Sequence, residues 1–116
     1  PGLALHLSTQ LSVLNAPAAE ALFVDAITVV SAALMEHMPC LRLIHSEGVA
    51  FDRIDLSAAR ERGAQVALYG HTHNALEDYD DGLYLLNPGS LNSWEATYGT
   101  VDITPQGIVT NIVKLP

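Results

Sequence analysis

Basic residues are scarce in this chain, with five Lys and Arg against 13 Asp and Glu and a formal charge of −8. A surface of that sign repels a phosphate backbone and has few cations to replace its counterions. The balance argues against a nucleic-acid groove unless a bound metal inverts the local field. Cysteine is nearly absent too. The single Cys40 cannot close an intrachain disulfide, which points to a reducing, cytoplasmic setting, and its neighbours Pro39 and Leu41 suggest a small core residue. Long apolar runs are missing: Glu36, His37 and Arg42 interrupt the longest candidate, short of the roughly 20 residues a membrane span needs. The chain opens at Pro1 with neither Met nor a basic leader region, so a signal peptide is not expected. Gly-rich phosphate loops, a nucleophile elbow and internal repeats are also lacking.

What is there is apolar. Hydrophobic residues make up 49% of 116 positions and charged ones only 16%, enough to build the core of one domain over residues 1–116. Leu3, Leu5 and Leu7 alternate with Ala4 and His6, as a short half-buried strand within residues 3–14 would. Asn15-Ala16-Pro17 resembles a helix start, and residues 18–37 are rich in Ala, Leu, Met and Glu, which predicts a helix closed before Pro39. The β-branched stretch Ile27-Thr28-Val29-Val30 also fits a strand.

Further along, Cys40-Leu41-Arg42-Leu43-Ile44 predicts a buried strand that delivers His45 to its C-terminal end. Asp55 or Ser57 can cap a short helix running to Arg62, with Gly63 as the left-handed residue that stops it. Residues 64–69 form a second apolar run that delivers Gly70-His71-Thr72-His73. Strand, helix, strand is a parallel βαβ unit, whose ligands collect beyond the carboxyl ends of its strands, so His45, His71 and His73 are expected on one rim. Asp80-Asp81-Gly82 predicts a turn before the strand 83–86, which ends at Asn87-Pro88-Gly89-Ser90. Residues 97–103 and 108–115 flank Pro105-Gln106-Gly107 as an antiparallel hairpin. The fold class expected is α/β, a mixed sheet with one βαβ unit and C-terminal antiparallel hairpins. The acids Glu77, Asp78, Asp80 and Asp81 around Tyr79 read as a solvated hairpin tip.

Two histidines spaced His-x-His on a tight turn can present imidazoles to neighbouring positions of a metal cluster, with Gly70 allowing close backbone approach. The spacing alone is a common one. The ordered series is more specific: an apolar strand, Gly-His-Thr-His, a hairpin, Asn-Pro-Gly-Ser, then an aromatic before another strand. Over residues 41–115 this series resembles the C-terminal half of the calcineurin-like metallophosphoesterases, in particular the bacterial and archaeal phosphodiesterases. The resemblance implies half of that family's sandwich. It also implies hydrolysis of phosphoesters by a water bridging two divalent metals, commonly manganese, iron, zinc or nickel. His71 looks like a ligand of one metal, His73 of the other, and His45 like the first histidine of the family's His-Gly-His motif. Asn87, Pro88, Gly89 and Ser90 resemble the family's structural turn beneath the site.

The chain departs from that pattern in several places. His45-Ser46-Glu47 stands where the family has His-Gly-His, and Leu91-Asn92-Ser93-Trp94-Glu95 stands where an arginine often follows the turn. The acids ahead of His45 are Glu20, Asp25 and Glu36, and none lies in the Asp-x-His or Gly-Asn context of the family's other ligands. Without a bridging carboxylate, two dications roughly 3.5 to 4 Å apart repel each other. Residues 5–15 are instead similar to a short string of collagenase-like peptidases, and if both resemblances hold the chain is a chimera of unrelated pieces. Two functions are expected from this: a metal-dependent phosphoesterase with His45, His71 and His73 as metal ligands, or a non-catalytic chimera or fragment, a folded scaffold or oligomerising domain without turnover. Half a sandwich would leave an apolar face or a strand edge open, so a homo-oligomer, most simply a two-fold dimer, is expected unless the helix 18–37 covers it.

Overall fold

A computed structural model describes residues 17–49 and 51–116. Strands β1 (Ala21–Val24), β2 (Leu43–Val49), β3 (Val66–Gly70), β4 (Leu76–Asp80) and β5 (Leu83–Asn87) form one sheet in the order β1-β2-β3-β5-β4. Helices α1 (Ala32–Met35) and α2 (Leu56–Glu61) lie between β1 and β2 and between β2 and β3. Strands β6 (Thr97–Thr104) and β7 (Gly107–Lys114) make a separate antiparallel hairpin. Strands β1, β2, β3 and β5 run parallel, and β4 is antiparallel to β5. This is the mixed α/β architecture expected from the sequence, with β2-α2-β3 as the expected βαβ unit and β1-α1-β2 as a second. The strand expected within residues 3–14, and the segment 5–15, lie outside the described residues.

Register decides what each face carries. Leu22, Ile44, Ala67 and Leu85 stand side by side across four strands. They join Leu34 and Met35 of α1 and Ala58 and Ala59 of α2 in the core. Each fully buried Leu, Ile or Met contributes about 2 kcal/mol by leaving water, so this helix-covered face accounts for much of the folding free energy. The next row, Phe23, His45, Leu68 and Leu86, points the opposite way because side chains alternate along a strand. The hairpin covers part of that second face: a Cβ added at Gly99 of β6 would stand 3.3 Å from Leu86. Toward β1 the face opens, and Phe23 is 67% exposed.

The long helix over 18–37 does not form. Residues 21–24 alternate exposed and buried as β1, and residues 32–35 alone are α-helical. Between them, Asp25 accepts hydrogen bonds from the backbone N–H groups of Ile27 and Thr28 and from the Thr28 hydroxyl, which closes a turn. Val30 bridges to Ile54 in an extended conformation. Pairing with β2 outweighs the local helix preference of Ala and Leu, a weak prior of a few tenths of a kcal/mol per residue. With that helix gone, it cannot cover the open face. Cys40, expected inside, is exposed in the turn before β2, and Leu41 takes the buried place.

Downstream elements follow the expected chemistry closely. Asp55 caps α2 by accepting from the Ala58 N–H at 3.0 Å, and Gly63 takes φ +89° just past its end. Asp81 and Gly82, both at positive φ, make the tight turn of the β4-β5 hairpin. Every residue of β4 is exposed, and the Arg60 guanidinium meets the Asp80 carboxylate at 2.7 Å.

Candidate functional site

Strand β5 lies between β3 and β4, so the chain leaving β3 must pass over the end of β5 to reach β4. Two strand spacings, roughly 10 Å, are crossed by residues 71–75. His71 and His73 sit on this crossing, at φ 70° and 62°, with the half-buried Thr72 between them. Histidine is among the side chains that tolerate left-handed backbone, but each such residue still costs on the order of 1 kcal/mol. Two within three residues must be held by their surroundings. Both imidazoles are exposed.

Asn87, the last residue of β5, lies directly beneath and is fully buried. Its Nδ2 donates to the Thr72 hydroxyl at 2.9 Å and to the Gly70 carbonyl at 3.4 Å, while its Oδ1 accepts from the Gly89 N–H at 2.9 Å. Thr72 in turn accepts from the Asn74 N–H, and the Thr97 hydroxyl at the start of β6 donates to the Pro88 carbonyl. The Asn-Pro-Gly-Ser turn is therefore bonded to the Gly-His-Thr-His loop above it and to the hairpin beside it. Gly89 has φ +84°, and an added Cβ would overlap the Thr97 hydroxyl. Gly70, by contrast, leaves open space within the chain at its own Cβ position, so Gly89 is where the fold needs a missing side chain. The role of the Asn87 amide could have been suspected from Asn preceding Pro-Gly, but two of its partners, Gly70 and Thr72, are distant in sequence.

His45 is not delivered to a strand end. Strand β2 continues to Val49, and His45 pairs with Leu68, three residues before His71, or roughly 10 Å lower along the sheet. Its ring packs against Phe23, with centroids 5.6 Å apart. The extension of β2 is irregular: Ser46 pairs with Tyr69 and Val49 with Gly70, leaving Glu47 and Gly48 in a bulge. Glu47 and Gly48 are thus where β2 departs from regular pairing with β3.

Among the described residues, the donor set does not complete a binuclear metal centre: no three His, Cys, Asp or Glu side chains there stand close enough to hold one ion. Asp25 is engaged in its own turn, where hydrogen bonds from the Thr28 hydroxyl, the Thr28 N–H and the Ile27 N–H hold its carboxyl below the ordinary range. What the geometry provides is a pair of exposed imidazoles on one braced loop.

Among the described residues, no helix is long and apolar enough to cross a membrane. No curated protein matches the chain significantly. Of solved structures, protein TM1076 of Thermotoga maritima, determined in solution by NMR, is similar at 24% identity and a TM-score of 0.42, over 73% of this chain and 60% of that one. The chain thus spans 60% of the length of that protein. Wild-type Vps29 from Entamoeba histolytica, complexed with Zn2+, is similar at 12% identity and a TM-score of 0.27, over 81% of this chain and 98% of that one. Likenesses this loose fix neither fold nor function. The model of the calcineurin-like phosphoesterase superfamily domain is different in kind, since it matches residues 17–106 continuously. Its reach to residue 17 brings residues 17–39 into the same family as the histidine loop, and the comparisons support neither a peptidase-like segment nor a chimera. A strand-end Gly-His-Thr-His loop braced by Asn-Pro-Gly-Ser, within a match over most of the chain, places this protein in the calcineurin-like phosphoesterase superfamily.

Proposed function

We propose that this chain carries the histidine-donating part of a metal-dependent phosphoesterase site, with His71 and His73 as ligands. The observation that supports the reading is the pair of left-handed histidines on the braced loop after β3, inside the span matched to the superfamily. Two imidazoles from one loop suit a borderline divalent ion such as zinc, nickel or iron, whereas manganese, a harder ion, depends more on oxygen donors. His45 belongs to the proposal only as the family's corresponding residue, since it lies along the sheet against Phe23. Phosphoester turnover then needs carboxylates beyond those the described residues gather.

Elemental analysis of untagged protein tests this, comparing wild type with the His71→Ala, His73→Ala double variant. The expected outcome is bound metal in the wild type and its loss in the variant, with about two equivalents only if a complete two-metal site assembles. Wild-type protein without stoichiometric metal would sink the proposal. A second reading, a folded chain without turnover, is supported by the lack, among the described residues, of a third donor beside these two. Manganese- or nickel-dependent hydrolysis of an aryl phosphodiester, abolished in the double variant, would exclude it. A two-fold dimer remains part of the proposal, supported by the open face around Phe23.

A further inference from the structure

The braces beneath the histidine loop differ in kind from the rest of the fold. Most of the buried residues are apolar, and Asn87 is one of a few polar ones. Burying an amide is costly unless its donors and acceptor are used. Here each polar atom of the side chain is used, and its partners lie at the last residue of β3 and in the two loops beyond the sheet: the Gly70 carbonyl, the Thr72 hydroxyl and the Gly89 N–H. Gly70 and Thr72 bracket His71, and Thr72 lies between the two left-handed histidines. The Thr72 N–H itself donates to the Gly70 carbonyl at 2.8 Å, closing a three-residue turn centred on His71, so the buried amide grips both ends of that turn from below, one through a carbonyl and one through a side-chain hydroxyl.

We infer that Asn87, acting through Thr72, is the positioning residue of this site: it holds His71 and His73 in left-handed backbone and so fixes the direction of both imidazoles. The inference deepens the metal-ligand reading of those histidines, and its conformational part stands whether or not a metal binds. Thr97 extends the brace by one layer. Its hydroxyl holds the Pro88 carbonyl and fills the space that Gly89 leaves, so the Asn87-Gly89 contact cannot slide away from the loop.

Thr72→Val keeps the shape of the side chain and removes the hydroxyl, whereas Thr72→Ser keeps the hydroxyl. Asn87→Ala removes the amide. For each, three-bond HN–Hα couplings and amide shifts at His71 and His73 report backbone conformation, urea unfolding reports stability, and calorimetry with Ni2+ alone reports affinity. The expected result is that Thr72→Ser retains the wild-type couplings, while Thr72→Val and Asn87→Ala change them at both histidines. Nickel affinity should fall about tenfold or more in those two variants, a loss that Thr72→Ser does not show. If Asn87→Ala fails to fold, the two Thr72 variants decide the matter. Unchanged couplings at both histidines in Thr72→Val would overturn the inference, leaving Asn87 an ordinary buried amide. Wild-type protein that takes up no nickel would instead overturn the metal-ligand reading, and the couplings would still test the positioning role.

Discussion

A single methyl group separates two kinds of glycine in this chain. At Gly89 the backbone is left-handed and an added Cβ would also meet the Thr97 hydroxyl; at Gly63 the backbone is left-handed but the space is open. Gly63→Ala should therefore cost only the conformational share, about 1 kcal/mol. Gly89→Ala should cost about 2 kcal/mol or more, because the crowding adds to it. Urea midpoints of the two variants check the ordering, and equal losses would mean that the Thr97 contact yields freely. The sequence announces both glycines equally, each following a run that needs a stop. Only the approach of β6 separates them, and nothing local to residues 87–90 encodes where Thr97 will be.

At the scale of elements, the segments that formed as expected are those whose ends carry chemistry of their own. Helix α2 is six residues long, too short to persist by propensity, and it depends on its Asp55 cap and on burying Ala58 and Ala59. Asp55→Ala should lower stability by about 1 kcal/mol, and Asp55→Ser should restore most of it. No loss in Asp55→Ala, measured by chemical denaturation, would mean the cap is idle. Residues 18–37 carried end markers as well, Asn15-Ala16-Pro17 and Pro39, yet the chain between them forms β1 and the four-residue α1 rather than one helix. The alternation of β1 is hidden because its outward residue Phe23 is itself apolar, lying on a face that the hairpin leaves open. A polar residue there would have revealed a strand. Likewise the run ending at Ile44 marked where β2 is buried and not where it stops, so His45 was expected at a strand end that lies four residues further on.

Across the molecule, the sheet is stabilised mainly from its helix-covered side. Ile44 has no exposed surface and sits centrally in the row from Leu22 to Leu85. Ile44→Ala should cost roughly 2 to 5 kcal/mol, a large share of the 5 to 15 kcal/mol typical of whole domains. A loss below 1 kcal/mol by thermal or urea unfolding would mean that the core collapses easily around the gap. What the sequence determined by itself was local: the fold class, the βαβ unit, the two hairpins and the residues of the histidine loop. These follow from apolar runs, caps and turn residues, whose physics acts over a few neighbours. What only the tertiary structure decided was the strand at 21–24, the place of His45 beside Phe23, and the brace from Asn87 to Thr72. Those depend on register between strands distant in sequence, because a contact across a sheet is set by which residues end up opposite one another.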